Sequence, residues 1–166
     1  MLLTTSRRTS QRTRTFCREL ASILPYCEYV NRGKKSIREV LDQGYSNAHE
    51  KVLVIETKDG NPYKMASMPT SKGMEWEEEF FISVRTRRDL GLNTRVLPLK
   101  EDIPVGFVGD KGDEIFKRIA GMFEADESSE SDVMLTLERV NGSVIVNFLR
   151  NDVSGDPVGP LIKVKI

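Results

Sequence analysis

The hydrophobic positions of the chain change period several times, and each change marks an element. Residues 2–5 are a short apolar and β-branched run, which predicts a buried strand. A polar, basic stretch over 6–11 leads into a helix. At about 100° per residue, Phe16, Leu20, Ile23 and Leu24 fall on one arc of it, with Cys17 beside them. Arg14 and Arg18 fall on the opposite face, joined by Arg7 if the helix starts early, and Pro25 stops it. Residues 28–31 read as a second strand, and Arg32-Gly33-Lys34-Lys35 as a basic turn. Ser36 then caps a helix carrying Ile37, Val40 and Leu41, and Glu39 completes a capping box. Strands follow at 52–57 and 63–68 around the turn Asp59-Gly60-Asn61. Residues 69–78 are a polar loop with Pro69, Gly73 and Trp76. Residues 80–87 form a strand with Arg85, Arg87 and Arg88 at its end.

Beyond Leu90 the pattern is weaker at first. Short strands are expected around 96–99 and 105–108, then a helix over 110–123 with Ile115, Ile119, Met122 and Phe123 at helical spacing. An acidic, serine-rich loop covers 124–132. Strands at 133–139 and 143–149 flank the turn Val140-Asn141-Gly142, and a polar loop leads to a last strand at 161–166. Both parts of the chain thus end in helix, hairpin, loop, strand. Val52 and Val133, Gly60 and Asn141, and Phe80 and Leu161 are each 81 positions apart. Residue identity across this offset is poor, so the repeat is one of pattern. It predicts an α/β fold of two similar halves, about 1–90 and 91–166, each with helices packed on a mixed sheet.

The 166 residues are 39% hydrophobic and 30% charged, enough for a core with a wetted surface. No run approaches the length of a membrane span, and residues 2–8 lack the apolar stretch of a signal peptide, so a cytoplasmic protein is expected. The formal net charge is zero, but it is segregated. Residues 1–38 hold nine bases, Arg7, Arg8, Arg12, Arg14, Arg18, Arg32, Lys34, Lys35 and Arg38, against the acids Glu19 and Glu28, a local net of +7. Residues 124–132 hold five acids and no base. The basic segment suits a polyanion. The acidic one suits a solvated loop, a site for a basic protein, or a guard over the basic face.

Catalytic and metal chemistry is sparse. His49, the one histidine, sits in a loop without a triad signature and reads as a surface residue. Cys17 and Cys27 suggest neither a disulfide framework nor, with His49, a zinc site. The segment 106–112 is glycine-rich before a helix but lacks the dinucleotide fingerprint. Glu75, Glu77, Glu78 and Glu79 read as solvated carboxylates, with Trp76 packed against the domain edge. No enzyme, cofactor or metal is expected.

The opening Leu2-Leu3-Thr4-Thr5-Ser6-Arg7-Arg8-Thr9-Ser10 and the later Glu28-Tyr29-Val30-Asn31-Arg32-Gly33 resemble the Brix-domain proteins of ribosome biogenesis in their short archaeal, Imp4-like form. The helix ending Met122-Phe123, the strand ending Asn147-Phe148-Leu149-Arg150, and Gly159-Pro160 before the last strand extend the resemblance over nearly the whole chain. Leu161 departs from it, since the longer relatives carry arginine there, and the basic terminal extensions of eukaryotic members are not expected. The resemblance implies a single Brix domain over 1–166, with halves similar to the anticodon-binding domain of class IIa aminoacyl-tRNA synthetases. It also implies a non-catalytic role in rRNA processing and subunit assembly.

Combined with the charge pattern, this assigns RNA phosphates to Arg7, Arg8, Arg12, Arg14 and Arg18 together with Arg32, Lys34, Lys35 and Arg38. Arginine pairs bidentately with phosphate. Arg85, Arg87 and Arg88 rank second, and Tyr26, Tyr29 and Tyr45 are candidates for stacking on bases. The expected partners are precursor rRNA or other structured RNA, and ribosomal or assembly-factor proteins, with no membrane. The alternative is a protein scaffold of a pre-ribosomal particle that touches RNA little.

Overall fold

A computed structural model describes residues 1–93, 105–127 and 130–166. The elements run β1 (Leu2–Thr5), α1 (Gln11–Ala21), β2 (Glu28–Tyr29), α2 (Ile37–Ser46), β3 (Lys51–Lys58), β4 (Asn61–Pro69) and β5 (Glu78–Arg85). They continue with β6 (Gly106–Val108), α3 (Glu114–Met122), β7 (Val133–Val140), β8 (Ser143–Arg150) and β9 (Leu161–Lys165). The strands form one mixed sheet in the order β2-β1-β3-β4-β5-β9-β8-β7-β6. β1 runs parallel to β2 and β3, and β6 runs parallel to β7. All other pairings are antiparallel, including β5 with β9, which joins the earlier strands to the later ones.

The two hairpin turns form where the sequence placed them. Asp59 and Gly60 have φ of +50° and +78°, and Asn141 and Gly142 have +48° and +71°. Two successive left-handed residues match the twist of a two-residue hairpin, which explains Asp-Gly and Asn-Gly at these points. The Ser36–Glu39 capping box also forms, with both reciprocal bonds present.

Two helix starts are fixed by their caps. α1 begins only at Gln11, because the Ser10 side chain accepts from the Thr13 N–H and caps the helix there; Arg7 therefore precedes the helix. α3 begins at Glu114 rather than near residue 110. Asp113 is its N-cap, and the Asp110 carboxylate accepts from the Gly112 N–H in a turn before it. The strand expected at 96–99 lies outside the described residues.

Alternation along the strands splits the core between the two faces of the sheet. Leu3, Leu53, Ile55, Met65, Phe80, Ile82, Val144, Val146 and Phe148 pack with Phe16, Cys17 and Leu20 of α1 and Phe116, Ile119 and Met122 of α3. On the other face, Leu2, Val52, Val54 and Met68 pack with Val40 and Leu41 of α2. The large cluster thus lies under α1 and α3, and α2 covers only the end of the opposite face. Trp76, in the loop between β4 and β5, is 43% exposed.

Candidate nucleic-acid interface

The basic residues of the first 38 positions reach the surface from three elements. Arg7 and Arg8 are exposed in the turn between β1 and α1. α1 has no acid in its first turn, so nothing neutralises the partial positive charge of its N-terminal N–H groups. Arg14 and Arg18 extend from the flank of α1 away from the buried Phe16 and Leu20. The Arg18 guanidinium lies 5.9 Å from the centre of the Tyr29 ring in β2. Arg32, Lys34 and Lys35 follow β2 in the turn around Gly33, which holds φ at +53°. Arg38 is exposed on the first turn of α2.

Two of these cations, Arg7 and Arg32, lie close enough to act on one another. Arg32 is held below its ordinary value, first by burial and then by the charge of Arg7. Its guanidinium donates to the carbonyls of Lys35 (3.1 Å) and Thr5 (3.5 Å), which fixes the turn without neutralising it. Lys35 donates to Gln43 Oε1 at 2.8 Å. Tyr29 is raised by burial first, then by Cys17, with Arg18 and Arg14 acting in the other direction. Glu39 lies near Arg7 and Lys35, but its carboxylate is already spent on the Ser36 cap. Among the described residues Arg7, Arg8, Arg14, Arg18, Arg32, Lys34 and Arg38 form no ion pair. Arg14 Nε, Tyr29 Oη and Thr5 Oγ1 are buried with no hydrogen-bond partner. Buried polar atoms are rarely left so.

The remaining sequence candidates sit elsewhere. Arg12 forms a forked pair with Asp89, 2.5 Å from Nη2 to Oδ2, and also reaches the Val84 carbonyl. Asp89 further accepts from the Thr86 N–H, and these bonds hold its carboxyl down at about 2. Arg85 donates to the Asp89 carbonyl, Arg87 donates to the Val158 carbonyl, and the Arg87 N–H is accepted by Glu19 of α1. The turn after β5 is therefore a polar knot tying α1 to β5 and to the approach to β9. Arg88 is exposed, and among the described residues its side chain takes no part in this knot. Of the aromatic candidates, Tyr26 and Tyr45 are exposed and Tyr29 is half-buried.

His49 is not the surface residue that the sequence suggested. Its side chain is 14% exposed, with Nε2 at 3.0 Å from Glu28 Oε2 and Nδ1 at 3.2 Å from the Met1 amino group. Glu28 is held below its ordinary value by hydrogen bonds from His49 and Asn47. Burial pushes the Cys17 thiol up and raises Cys27 to about 12, so neither cysteine presents a thiolate near neutral pH. Of the glutamates around Trp76, Glu77 pairs with Lys51, Glu78 with Arg118 and Glu79 with Lys64. Among the described residues no group of three or more His, Cys, Asp or Glu is placed to hold a metal ion.

Sequence reasoning passed over one aromatic pair, the half-buried Tyr63 and the exposed Phe81. The signal was present: in the adjacent Phe80 and Phe81 of a period-2 strand, one ring has to face solvent.

No family model matches the chain. It is 33% identical to a "probable Brix domain-containing ribosomal biogenesis protein" of Pyrococcus horikoshii, over all of this chain and 83% of that one. The fold matches the crystal structure of a "probable ribosomal biogenesis protein" from Aeropyrum pernix K1, with a TM-score of 0.81 and 21% identity over 99% of this chain and 94% of that one. It also matches an archaeal Imp4-like protein, with a TM-score of 0.73 and 22% identity over 100% and 97% of the two chains.

Proposed function

This chain belongs to the Brix domain-containing ribosomal biogenesis proteins, and from that premise we propose that it is a non-catalytic RNA-binding factor in ribosome assembly and rRNA processing. The observation that carries the reading is the group of cations around α1, β2 and the start of α2 that form no ion pair among the described residues. Arg7, Arg8, Arg14, Arg18, Arg32, Lys34, Lys35 and Arg38 form its RNA-binding face. The fixed backbone of the Arg32 turn and the planar guanidinium groups around it favour phosphate oxygens as ligands. Arg12, Arg85 and Arg87 act mainly through the Asp89 knot, holding α1 at the angle that presents Arg14 and Arg18. Arg88 is an outlying contact.

The same reading treats residues 1–166 as a single Brix domain of two similar halves, with a division near residue 90. In its support, a parallel pair followed by an antiparallel hairpin and a further strand occurs twice, as β1, β3, β4, β5 and as β6, β7, β8, β9. The likeness of each half to the class IIa anticodon-binding domain belongs to this proposal. The partners are precursor rRNA and, beside it, ribosomal or assembly-factor proteins in the cytoplasm.

Ultraviolet crosslinking of the protein to bound precursor rRNA, with mass spectrometry of the adducts, tests the assignment. Crosslinked peptides are expected from residues 7–18 and 29–38. Adducts confined to the strands β6–β8 would move the RNA face away from this cluster and overturn it.

A further inference from the structure

The sheet face opposite α1 and α3 is only partly covered. α2 packs over Leu2, Val52, Val54 and Met68, and further along β5 and β9 expose alternate residues: Phe81, Ser83 and Arg85, and Lys163 and Lys165. Cross-strand partners share a face, and Phe81 stands opposite Lys64 while Ser83 stands opposite Lys163. Phe81 is 48% exposed, an unusual place for a phenylalanine in the middle of a strand. Its ring lies 5.2 Å from that of Tyr63, at an interplanar angle of 53°, and Lys58 Nζ lies 4.9 Å above the Tyr63 ring.

The charges around this aromatic pair are unequal. Glu56 and Glu79 both bind Lys64, at 2.9 and 3.0 Å. Lys58, Lys163 and Lys165 form no ion pair among the described residues. Two adjacent rings ringed by unneutralised ammonium groups fit a ligand that carries flat π faces on an anionic backbone. A protein partner fits less well, because lysine is depleted at the centre of protein–protein contacts.

We propose that Tyr63 and Phe81, flanked by Lys58, Lys163 and Lys165, form a stacking platform for unpaired bases of a single-stranded RNA segment. The inference rests on the RNA-binding reading above and adds a separate site to it. The cation cluster holds phosphates of structured RNA, and this face takes bases that have left the helix. Paired bases in A-form RNA do not offer their faces, whereas splayed bases stack on exposed aromatic side chains.

The test compares a uridine decamer, an abasic decamer with the same number of phosphates, and a duplex, each titrated by fluorescence anisotropy. Phe81→Ala is expected to weaken decamer binding on the order of tenfold and to leave the abasic strand and the duplex unchanged. Phe81→Trp should restore the affinity and show quenching of its indole on binding. Because Phe81 is exposed, circular dichroism and the melting temperature of both variants should match the parent. Equal losses on the decamer and the abasic strand would overturn the platform, since a charge contact would then be at work. An unchanged Phe81→Ala variant that still binds duplex would overturn the platform and leave the phosphate face standing. Loss of self-association in sedimentation, with RNA affinity unchanged, would assign the face to a second copy of the chain and overturn the platform as well. A protein that binds none of the three RNAs would remove both readings.

Discussion

Replacing Arg7, Arg8, Arg14 and Arg32 together by alanine is expected to lower affinity for structured RNA by about a hundredfold or more, with the fold intact. Each guanidinium–phosphate contact is a charge-assisted bond with a net worth on the order of 1 kcal/mol or above, and four of them exceed the roughly 2.7 kcal/mol that a hundredfold change requires. None of the four has a carboxylate partner among the described residues, so their removal strands no buried acid. Removing Arg7 also relieves the charge that burdens Arg32 in the free protein. That cluster pays a self-repulsion which phosphate binding offsets. The salt dependence should flatten at the same time, since each lost phosphate contact removes about 0.7 to 0.9 from the log–log slope. Anisotropy titration at two salt concentrations measures both effects. A variant that keeps the parent's affinity and slope would show that this surface does not meet RNA.

Phe148→Ala is the largest expected loss of stability, about 3–5 kcal/mol. Phe148 is 1% exposed in β8, between the two sides of the main core. Its ring meets Phe123, at the end of α3, edge-on with centroids 5.5 Å apart. On its other side lies Gly159, where an added Cβ would come within 2.9 Å of the Phe148 Cβ and also strike Ile23 at the end of α1. That close approach explains the glycine before Pro160 and means that backbone, not a flexible side chain, walls one side of the ring. The site therefore collapses poorly around a truncated residue. For a chain of this size the thermal midpoint should fall by roughly 10 °C. Phe148→Leu should cost less than half as much. RNA affinity measured well below the midpoint should not change, because the basic face lies on the outer flank of α1. A fall of only one or two degrees would mean that the core reorganises around position 148.

Local chemistry was legible wherever neighbours in sequence decide the structure. The Asp59-Gly60 and Asn141-Gly142 turns, the Ser36–Glu39 box and the apolar stripe of α1 all depend on residues within one or two turns of each other. The resemblance pointed to the same family as the comparisons did. Long-range geometry was not legible. Arg12 looks like any other arginine of the basic segment until the fold brings Asp89, 77 positions away, against it. His49 looks solvated until β2 places Glu28 beside its ring. The pairing of β5 with β9, which makes one sheet of all the strands, is a contact between residues such as Ile82 and Val164 that no local pattern encodes. The same pairing sets Lys163 beside Ser83, close to the exposed Phe81, so the platform could not be read before the sheet was known.

The most direct measurement of the central claim is a titration of the purified protein against fragments of precursor rRNA and unrelated RNA of equal length, over a series of salt concentrations. The account predicts preferential binding to one rRNA fragment, with a log–log salt slope of about −3 or steeper, as four or more phosphate contacts require. Absence of binding at low salt would contradict it, and the protein scaffold would take its place.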